Sequence, residues 1–326
     1  MRFDYETQGL STTDILTLLA APGLGRKSVG HVMKEAHCSP GGTADLIDLV
    51  SEARKTNARI KVPSESDLNL ARSKVLAAEE LGDREGIKTI NCTNPIYPSS
   101  LRQIDDPPLV LFIKGDIACL SHPSIAVVGT REPSKYGEQS AERIAATFSE
   151  AGFTIVSGLA LGCDTAAHKG CLSVNGRTVA VLAHGLDTVY PAKNLALADE
   201  ILGKAGCWVS EYPPGTKSRN NYFVERDRIQ SGLRKAVVVI ETGIEGGTMH
   251  TVSFCKKHGR ILACIEHPEK YRGMESTKGN QKLIAGGDAV SLNSKSDVDR
   301  LIERLSNLGT VSEPDSLPSD SQLPLL

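Results

Sequence analysis

The fold is decided by two stretches, Ile125-Ala-Val-Val-Gly-Thr-Arg131 and Thr154-Ile-Val-Ser-Gly-Leu-Ala-Leu-Gly-Cys-Asp-Thr-Ala-Ala-His168, which a helix-like segment separates. Each begins with an apolar run typical of a buried strand and continues into a loop of glycines and polar residues. In α/β proteins, ligands bind at the carboxyl ends of parallel strands. The two stretches therefore predict a parallel sheet with a phosphate-type site at one edge.

The same alternation of strand and helix continues along the chain. Strands are predicted at 124–129, 153–157, 178–183, 206–210, 236–241 and 261–265, and the helices between them include 137–151, 164–173, 193–204 and 248–258. Continuous Val/Ile/Ala runs that alternate with helices indicate a sheet covered on both faces. We therefore predict an α/β protein with a Rossmann-like, doubly wound, mainly parallel sheet.

A small helical region precedes the sheet. Residues 12–35 have the pattern of two helices joined by a Pro-Gly-x-Gly turn, and 42–86 are alanine-rich with helical spacing. We predict a helical domain of helix-hairpin-helix or SAM-like type at 1–86, a Rossmann-like domain at 87–309 and a disordered tail at 310–326, which is rich in Ser, Pro and Asp.

Composition excludes several classes of function. The formal net charge is −2, so any nucleic-acid site must be a local basic patch. The sequence lacks a signal-like start and an apolar run long enough to cross a membrane, so we expect a cytoplasmic protein without membrane contact. The eight cysteines form no Cys-x-x-Cys pair, and we expect buried, reduced thiols and no metal site.

Two loops after strands carry candidate anion-binding groups. Gly129 and Arg131 follow the first strand, where a guanidinium can fork onto phosphate. The second loop offers hydroxyl and N–H donors from Ser157, Gly158 and Gly162. In that loop Asp164 is predicted to cap the next helix, with His168 as its local partner one turn later. A Ser–Asp–His triad is the alternative, but Gly-x-Ser-x-Gly is absent.

Further candidates follow later strands and the first helical turn. Gly185, Lys193 and Asn194 follow the third strand, and Gly247 and Thr248 open a helix after the fifth. The turn after the first helix carries Arg26 and Lys27, which suit either a secondary DNA contact or a plain helix connector.

A basic segment with aromatic residues lies between 217 and 235. It contains six Lys/Arg, with Tyr222 and Phe223 interleaved. Cations that follow a backbone and rings that stack on bases suit single-stranded nucleic acid, whereas the alternative is a solvated helix face. Several anion-binding loops favour a polyanion over one phosphate. No Gly-x-Gly-x-x-Gly is present, so no cofactor is predicted.

The order of these motifs resembles the DprA/Smf family of DNA-processing proteins. The matching segments are Gly-Thr-Arg (129–131), Ser-Gly-Leu-Ala-x-Gly-x-Asp-x-x-Ala-His (157–168), Gly-Leu-Asp-x-x-Tyr-Pro-x-x-Asn (185–194), Ser-Glu-Tyr-Pro-Pro-Gly (210–215), and Phe223 followed by Arg226-Asp-Arg-Ile229. The resemblance covers roughly residues 12–292. Asp227 stands where the family usually has Asn, and no winged-helix segment follows residue 310, so the chain resembles a diverged member.

The resemblance implies a protein that is not an enzyme. It implies single-stranded DNA binding, homodimerisation and loading of a RecA-type recombinase during transformation or recombination. By position it makes Arg131, Asn194, Arg226 and Arg228 the DNA contacts. A nucleotide-binding sensor of the same fold, for example in phage defence, and a protein scaffold with a vestigial crevice are the competing hypotheses. A phosphoribohydrolase is disfavoured because Thr251 stands where that class has its catalytic Glu.

Overall fold

A computed structural model describes residues 9–308 of the 326-residue chain, and within them the strands form one nine-stranded sheet of order β1-β2-β6-β5-β4-β3-β7-β8-β9. The pairings β1–β2 and β2–β6 are antiparallel. Every other pairing, from β6 across the sheet to β9, is parallel. The predicted fold class is therefore confirmed. The strands are β1 Ile87–Asn91, β2 Val110–Gly115, β3 Ser124–Val128, β4 Thr154–Ser157, β5 Thr178–Val181, β6 Cys207–Ser210, β7 Ala236–Val239, β8 Ile261–Ile265 and β9 Val290–Leu292.

Thirteen α-helices lie within residues 9–308, together with two 3-10 turns at Ile117–Leu120 and Ala192–Asn194. The six strands predicted between 124 and 265 are confirmed, with ends that differ by one or two residues, whereas β2 and β9 were not predicted. The helices are α1 Thr12–Ala20, α2 Arg26–Glu35, α3 Thr43–Thr56, α4 Glu65–Arg84, α5 Ser99–Arg102, α6 Lys135–Glu150, α7 Cys163–Ser173, α8 Leu195–Gly203, α9 Asn220–Gly232, α10 Thr248–Lys257, α11 Glu269–Arg272, α12 Glu275–Ala285 and α13 Lys295–Asn307.

The sheet has its switch point between β3 and β7. From β3 the chain moves outward through β4, β5 and β6, then returns so that β7 pairs with the other side of β3. The loops after these two strands diverge there and open a crevice at their carboxyl ends. The Thr130 N–H donates to the Glu241 carbonyl at 2.8 Å, and the Cys163 N–H donates to the Thr130 carbonyl at 3.1 Å. These bonds join the loops of β3, β4 and β7 into one site.

Helices α1–α4 pack on the β1–β2 side of the sheet. Ser11 caps α1 by accepting the Asp14 N–H, and Ser64 forms a capping box with Asp67 at the start of α4. Buried side chains of these helices continue into the core beneath the neighbouring strands, so the helices and the sheet share one apolar interior. The domain boundary at residue 86 stays a prediction, and the tail predicted at 310–326 lies outside the described residues.

Three further observations concern membrane crossing, the thiols and metal ligands. Within residues 9–308, no helix combines the length and apolar character that a membrane crossing requires. All eight cysteines are free thiols, and seven are buried, but Cys38 is exposed, contrary to the expectation for the set. Across the same residues, no three His, Cys, Asp or Glu side chains cluster in a way that could hold a metal ion.

Candidate nucleic-acid interface

A cavity of about 450 Å³ occupies the crevice between the loops of β3, β4 and β7, with α9 as one wall. The residues at its mouth are mostly exposed to solvent, and those at its inner end are mostly buried. We call the outer part the rim; it comprises Arg131, Phe223, Gly247, Thr248 and His250. We call the inner part the floor; it comprises Asp164, Arg226, Asp227, Gln230 and Thr251. The predicted residues Gly129, Arg131, Phe223, Arg226, Gly247 and Thr248 all line this one cavity.

The rim combines cationic, aromatic and backbone donor groups. The Arg131 guanidinium lies 5.4 Å from the Phe223 ring centroid and makes no hydrogen bond or ion pair with residues 9–308. The Tyr190 ring, itself half exposed, is 5.7 Å from the Phe223 ring. At the start of α10 the N–H groups of Gly247 and Thr248 meet no acceptor within the described part of the chain. The rim therefore offers donors for an anion beside a stacking surface.

Arg226 fixes the floor of the cavity. Its side chain is almost fully buried, and Nη1 donates to the Val181 carbonyl at 2.8 Å. Its Nε lies 3.3 Å from Asp227 Oδ1. A Cβ on Gly158 would stand 1.6 Å from Nη1, so only glycine at 158 leaves room for this guanidinium. Arg226 therefore acts mainly within the protein and presents one edge to the cavity.

The loop after β4 uses its own donors, which corrects two predictions. The Ser157 hydroxyl donates to the Val127 carbonyl at 2.7 Å, and the Gly158 N–H donates to Asp164 at 3.0 Å. Asp164 also accepts the Ala160 N–H, and the residue that precedes α7 is Gly162, with φ 79°. Asp164 therefore closes the loop instead of capping α7, and the Ser157 and Gly158 donors are engaged before any phosphate arrives.

His168 does not pair with Asp164, contrary to prediction. Its Nδ1 lies 2.7 Å from Thr178 Oγ1, and the ring is fully buried between α7 and β5. Burial, with a further contribution from the positive charge of Arg226, lowers its pKa to about 3, so the imidazole is neutral at physiological pH. The side chain therefore belongs to the core, and it does not line the cavity.

The loop after β5 contributes mainly to positioning. The buried Asn194 amide donates to the Leu159 carbonyl and to Thr165 Oγ1, both at 2.8 Å, and so holds the β4 loop. The Gly185 N–H donates to the Thr216 carbonyl at 2.8 Å, and a Cβ there would press on Pro213. Lys193 is exposed on the 3-10 turn and remains accessible to a ligand.

The basic segment at 217–235 is less exposed than its sequence predicts. Arg226, Arg228 and Arg234 are buried, and only Lys217, Arg219 and Lys235 of the six cations are exposed. Tyr222 stacks on Tyr212 with ring centroids 4.1 Å apart, so it is already occupied. The cationic surface of this segment is therefore smaller than the sequence suggests.

Arg228 and Arg26 form an ion-pair network away from the cavity. Arg228 is 3% exposed on its side chain and binds Glu211 through two contacts, of 2.9 and 2.6 Å. Arg26 binds Asp106 at 3.0 Å and Glu225 at 2.9 Å, and so joins α2 to α9. These arginines tie the helical region to the sheet, whereas Lys27 is exposed.

Sequence reasoning missed Asp227 and Gln230 as cavity residues. Burial raises the pKa of Asp227 to about 7, Arg226 opposes that rise and the Asp164 carboxylate adds to it. With the Gln230 amide oriented to satisfy both of its ends, its nitrogen donates to Asp227 at 3.1 Å and its oxygen accepts the Gly158 N–H at 2.8 Å. Helical spacing could have found them, because Asp227 and Gln230 lie three or four residues from Phe223 and Arg226 and so share one face of the helix.

The chain is similar in sequence to curated DNA-processing proteins. The DNA processing protein DprA of Bacillus subtilis is 36% identical over 234 residues, which are 71% of this chain and 76% of that protein. Protein Smf of Synechocystis is 35% identical over 244 residues, which are 71% of this chain and 58% of that protein. The chain thus spans between about half and three quarters of the length of these curated relatives.

Two solved structures share the fold. The X-ray structure of DprA from Streptococcus pneumoniae matches 92% of this chain and 98% of its own, with a TM-score of 0.73 and 27% identity. A DprA structure from Helicobacter pylori, described for its single-stranded DNA binding mode, matches 68% of this chain and 96% of its own, with a TM-score of 0.59 and 26% identity. A family model described as DNA recombination-mediator protein A matches residues 88–305, and the chain belongs to that family.

Proposed function

We propose that this chain binds single-stranded DNA in the crevice and, as a homodimer, loads a RecA-type recombinase onto it during transformation or recombination. The observation that carries the DNA-binding part is the rim, where the Arg131 guanidinium, which forms no ion pair in the described part of the chain, lies over the Phe223 ring beside the open start of α10. One cavity thus combines the two interactions that single strands require, namely phosphate contact and base stacking. The relatives named DprA and the Helicobacter pylori structure support the proposal.

The phosphate contacts are assigned to the rim. Arg131 supplies a planar guanidinium that makes no hydrogen bond or ion pair with residues 9–308, and the N–H groups of Gly247 and Thr248 supply a helix N-terminus. Lys193 extends the positive charge along the edge of the sheet. Arg226, Ser157, Gly158 and Asn194 shape the crevice from within, through the protein hydrogen bonds described above. Lys27 remains a candidate for a secondary contact, whereas Arg26 is occupied by its ion pairs.

The base contacts are assigned to the aromatic pair. The Phe223 ring lines the rim, and the half-exposed Tyr190 ring lies 5.7 Å from it, so an unstacked base can lie on either ring. Aromatic stacking contributes about 1–3 kcal/mol per base and tolerates every base type. This arrangement fits a protein that coats single strands of mixed sequence.

The test is fluorescence anisotropy with a labelled mixed-sequence oligonucleotide, single-stranded or annealed to its complement. We expect tight binding to the single strand, weaker binding to the duplex, and a loss of about tenfold or more on Phe223→Ala, as a lost stacking contact implies. Arg300→Ala, which removes a surface cation on α13, is the matched control. No binding of the single strand at low salt would overturn the proposal.

The dimer and the recombinase step need their own measurements. Light scattering after size exclusion gives the mass of the particle in solution. Loading is measured as recombinase filament formation on single strands that are already coated with a single-strand-binding protein, with and without this chain. We expect a dimer mass and faster filament formation; a monomer, or an unchanged rate, would contradict these parts of the proposal.

A nucleotide sensor is the second candidate, because the cavity of about 450 Å³ is large enough for one mononucleotide. The α10 N-terminus suits a phosphate, and Phe223 suits a base. Calorimetry with a panel of nucleoside mono-, di- and triphosphates separates the two. Micromolar binding of a free nucleotide that single-stranded DNA does not displace would favour the sensor.

A further inference from the structure

Two buried thiols meet at the amino ends of the parallel strands, whereas the crevice lies at their carboxyl ends. Cys207 is the first residue of β6, and Cys119 lies on the 3-10 turn Ile117–Leu120 that follows β2. Their sulfur atoms are 3.3 Å apart, and neither residue is exposed. This separation is only about 1.2 Å longer than a disulfide bond, so a small movement would join the two sulfurs.

The guanidinium of Arg234 is buried at the same end of the strands. Its Nη1 donates to Ser124 Oγ at the start of β3, whereas Nε and Nη2 meet no acceptor in the described part of the chain. Burial lowers the pKa of Arg234 to about 9, so the side chain is still mainly charged at pH 7, and the acidic groups that act on it are Cys119 and Cys207. A buried charge is costly without a counter-charge, so this guanidinium requires a thiolate of the pair.

The two thiols differ in how readily they lose a proton. The hydrogen bond with Cys207 lowers the pKa of the Cys119 thiol, and Arg234 adds to that effect, whereas burial and the Asp116 carboxylate oppose it. The same hydrogen bond, together with burial, raises the pKa of Cys207. Cys119 therefore carries the thiolate, which is the reactive form of cysteine, and Cys207 keeps its proton.

We infer that Cys119 and Cys207 are a redox-active pair, which an oxidant of the hydroperoxide class converts to a disulfide. With hydrogen peroxide, the Cys119 thiolate attacks one oxygen, the S–O bond forms, the O–O bond breaks, and the leaving hydroxide takes a proton from solvent to become water. The Cys207 sulfur then attacks the sulfenic sulfur, the S–S bond forms, and the hydroxyl leaves with the Cys207 proton as a second water. The two sulfurs lose two electrons, and the peroxide gains them.

A single turn separates the Cys119 sulfur from solvent. The neighbouring Asp116 and Ala118 are exposed. The Asp116 N–H donates to the Gly206 carbonyl at 3.0 Å, and Asp116 Oδ1 accepts the Ala118 N–H at 2.9 Å. Short segments with few hydrogen bonds open locally at a fraction of the free energy of global unfolding. A peroxide, which is little larger than water, can therefore reach the thiolate while the sheet stays folded.

Arg234 also makes the disulfide easy to reduce. Oxidation removes the thiolate, so the guanidinium has its counter-charge in the reduced protein and loses it in the oxidised protein. A pair whose reduced form is stabilised in this way has a more oxidising potential. The site is therefore reversible, and it is independent of the proposed function because it lies at the other end of the strands.

The experiment treats the full chain with hydrogen peroxide at pH 7, in a Cys38→Ser background that removes the exposed thiol. Peptide mapping without reduction identifies the products. We expect a Cys119–Cys207 disulfide that forms at least about tenfold faster than Cys171 or Cys255 is oxidised, because burial raises the pKa of those thiols to about 11 and about 12. In Cys207→Ser the reaction should stop at a Cys119 sulfenic acid, which dimedone traps.

Two variants test the guanidinium. Arg234→Met should slow disulfide formation by about tenfold or more, because the thiolate loses its counter-charge, whereas Arg234→Lys keeps the charge and should restore most of the rate. A second measurement needs no change at Arg234. A thiolate absorbs in the ultraviolet where a thiol does not, and Cys119→Ser should abolish that absorbance at pH 7.

Three outcomes would contradict the inference. Failure of Cys119 and Cys207 to join, while Cys38 of the wild type is oxidised under the same conditions, overturns it. Ultraviolet absorbance that Cys119→Ser leaves unchanged also overturns it, because the thiolate is then absent. A rate that Arg234→Met does not alter overturns the role of the guanidinium. These outcomes leave single-stranded DNA binding untouched, so the two proposals fail separately.

Discussion

The Arg226 guanidinium occupies the place that a side chain at residue 158 would fill. A Cβ built on Gly158 would lie 1.6 Å from Arg226 Nη1 and 2.5 Å from its Cζ. The residue after β4 and the face of α9 are therefore fitted to one another, although 68 positions separate them in the sequence. The absence of a side chain at residue 158 leaves room for the arginine on the cavity floor.

Gly158→Ala should displace that guanidinium and break its bond to the Val181 carbonyl. Overpacking of a dense interior costs about 1–3 kcal/mol, and we expect that loss in the free energy of unfolding measured with urea. Gly203→Ala is the control, since a Cβ there meets no atom within 4 Å. Equal stability of the two variants would show that Arg226 moves aside without cost.

Arg228→Ala should be more destabilising than Arg26→Ala. Arg228 and Glu211 are 3% and 6% exposed on their side chains, so removal of the cation leaves a buried carboxylate whose remaining ion-pair partner is Arg26, 3.6 Å away. Such a loss costs about 3–5 kcal/mol. Arg26 is 29% exposed, and water can replace its contacts. Urea denaturation of both variants gives the comparison, and similar costs would contradict the ranking.

The same residues show where sequence reasoning succeeds and where it fails. The strand ends and the crevice were predictable because apolar runs and glycine loops are local patterns. The burial and ion pairing of the arginines were not predictable, because Arg26 and its partner Glu225 are 199 positions apart in the sequence. The sequence of a basic segment does not distinguish side chains that face solvent from side chains that pair with a buried carboxylate. Arg131, at the end of a strand, could be placed because strand direction alone determines its position.

Asp227 should make the stability of the protein fall as pH rises. Its pKa is raised from 3.8 to about 7 by burial, so the folded state favours the protonated carboxyl. That contribution is complete below about pH 4 and is lost as pH rises through 7, at up to about 1.4 kcal/mol per pH unit. Asp227→Asn cannot ionise, so its advantage over the wild type should grow between pH 5 and 7 and then level.

The quantity to measure is the difference in the free energy of unfolding between the wild type and Asp227→Asn, obtained by urea denaturation at each pH. Buried His168 acts in the opposite direction, because a pKa lowered to about 3 means that folding excludes its proton. It is present in both proteins, so its effect cancels in the difference. A difference that stays constant from pH 5 to 8 would show that Asp227 is ionised throughout.

Arg131→Ala should weaken single-stranded DNA binding in a salt-dependent way. Arg131 makes no hydrogen bond or ion pair within the described residues, so its removal should leave the fold intact and delete one phosphate contact. Each contact with a single strand contributes about −0.7 to the slope of log affinity against log salt. We expect the variant to lower the magnitude of that slope by about this amount, and to lose affinity most at low salt.

Anisotropy titrations from low to physiological salt measure this slope for the wild type, Arg131→Ala and Lys27→Ala. Lys27 is exposed on the helical region and tests the secondary contact by the same criterion. A lower affinity with an unchanged slope would mean that Arg131 acts through Phe223, 5.4 Å away, as a stacking partner. Arg131→Lys, which keeps the charge without the planar guanidinium, should retain the salt slope if the charge contacts phosphate.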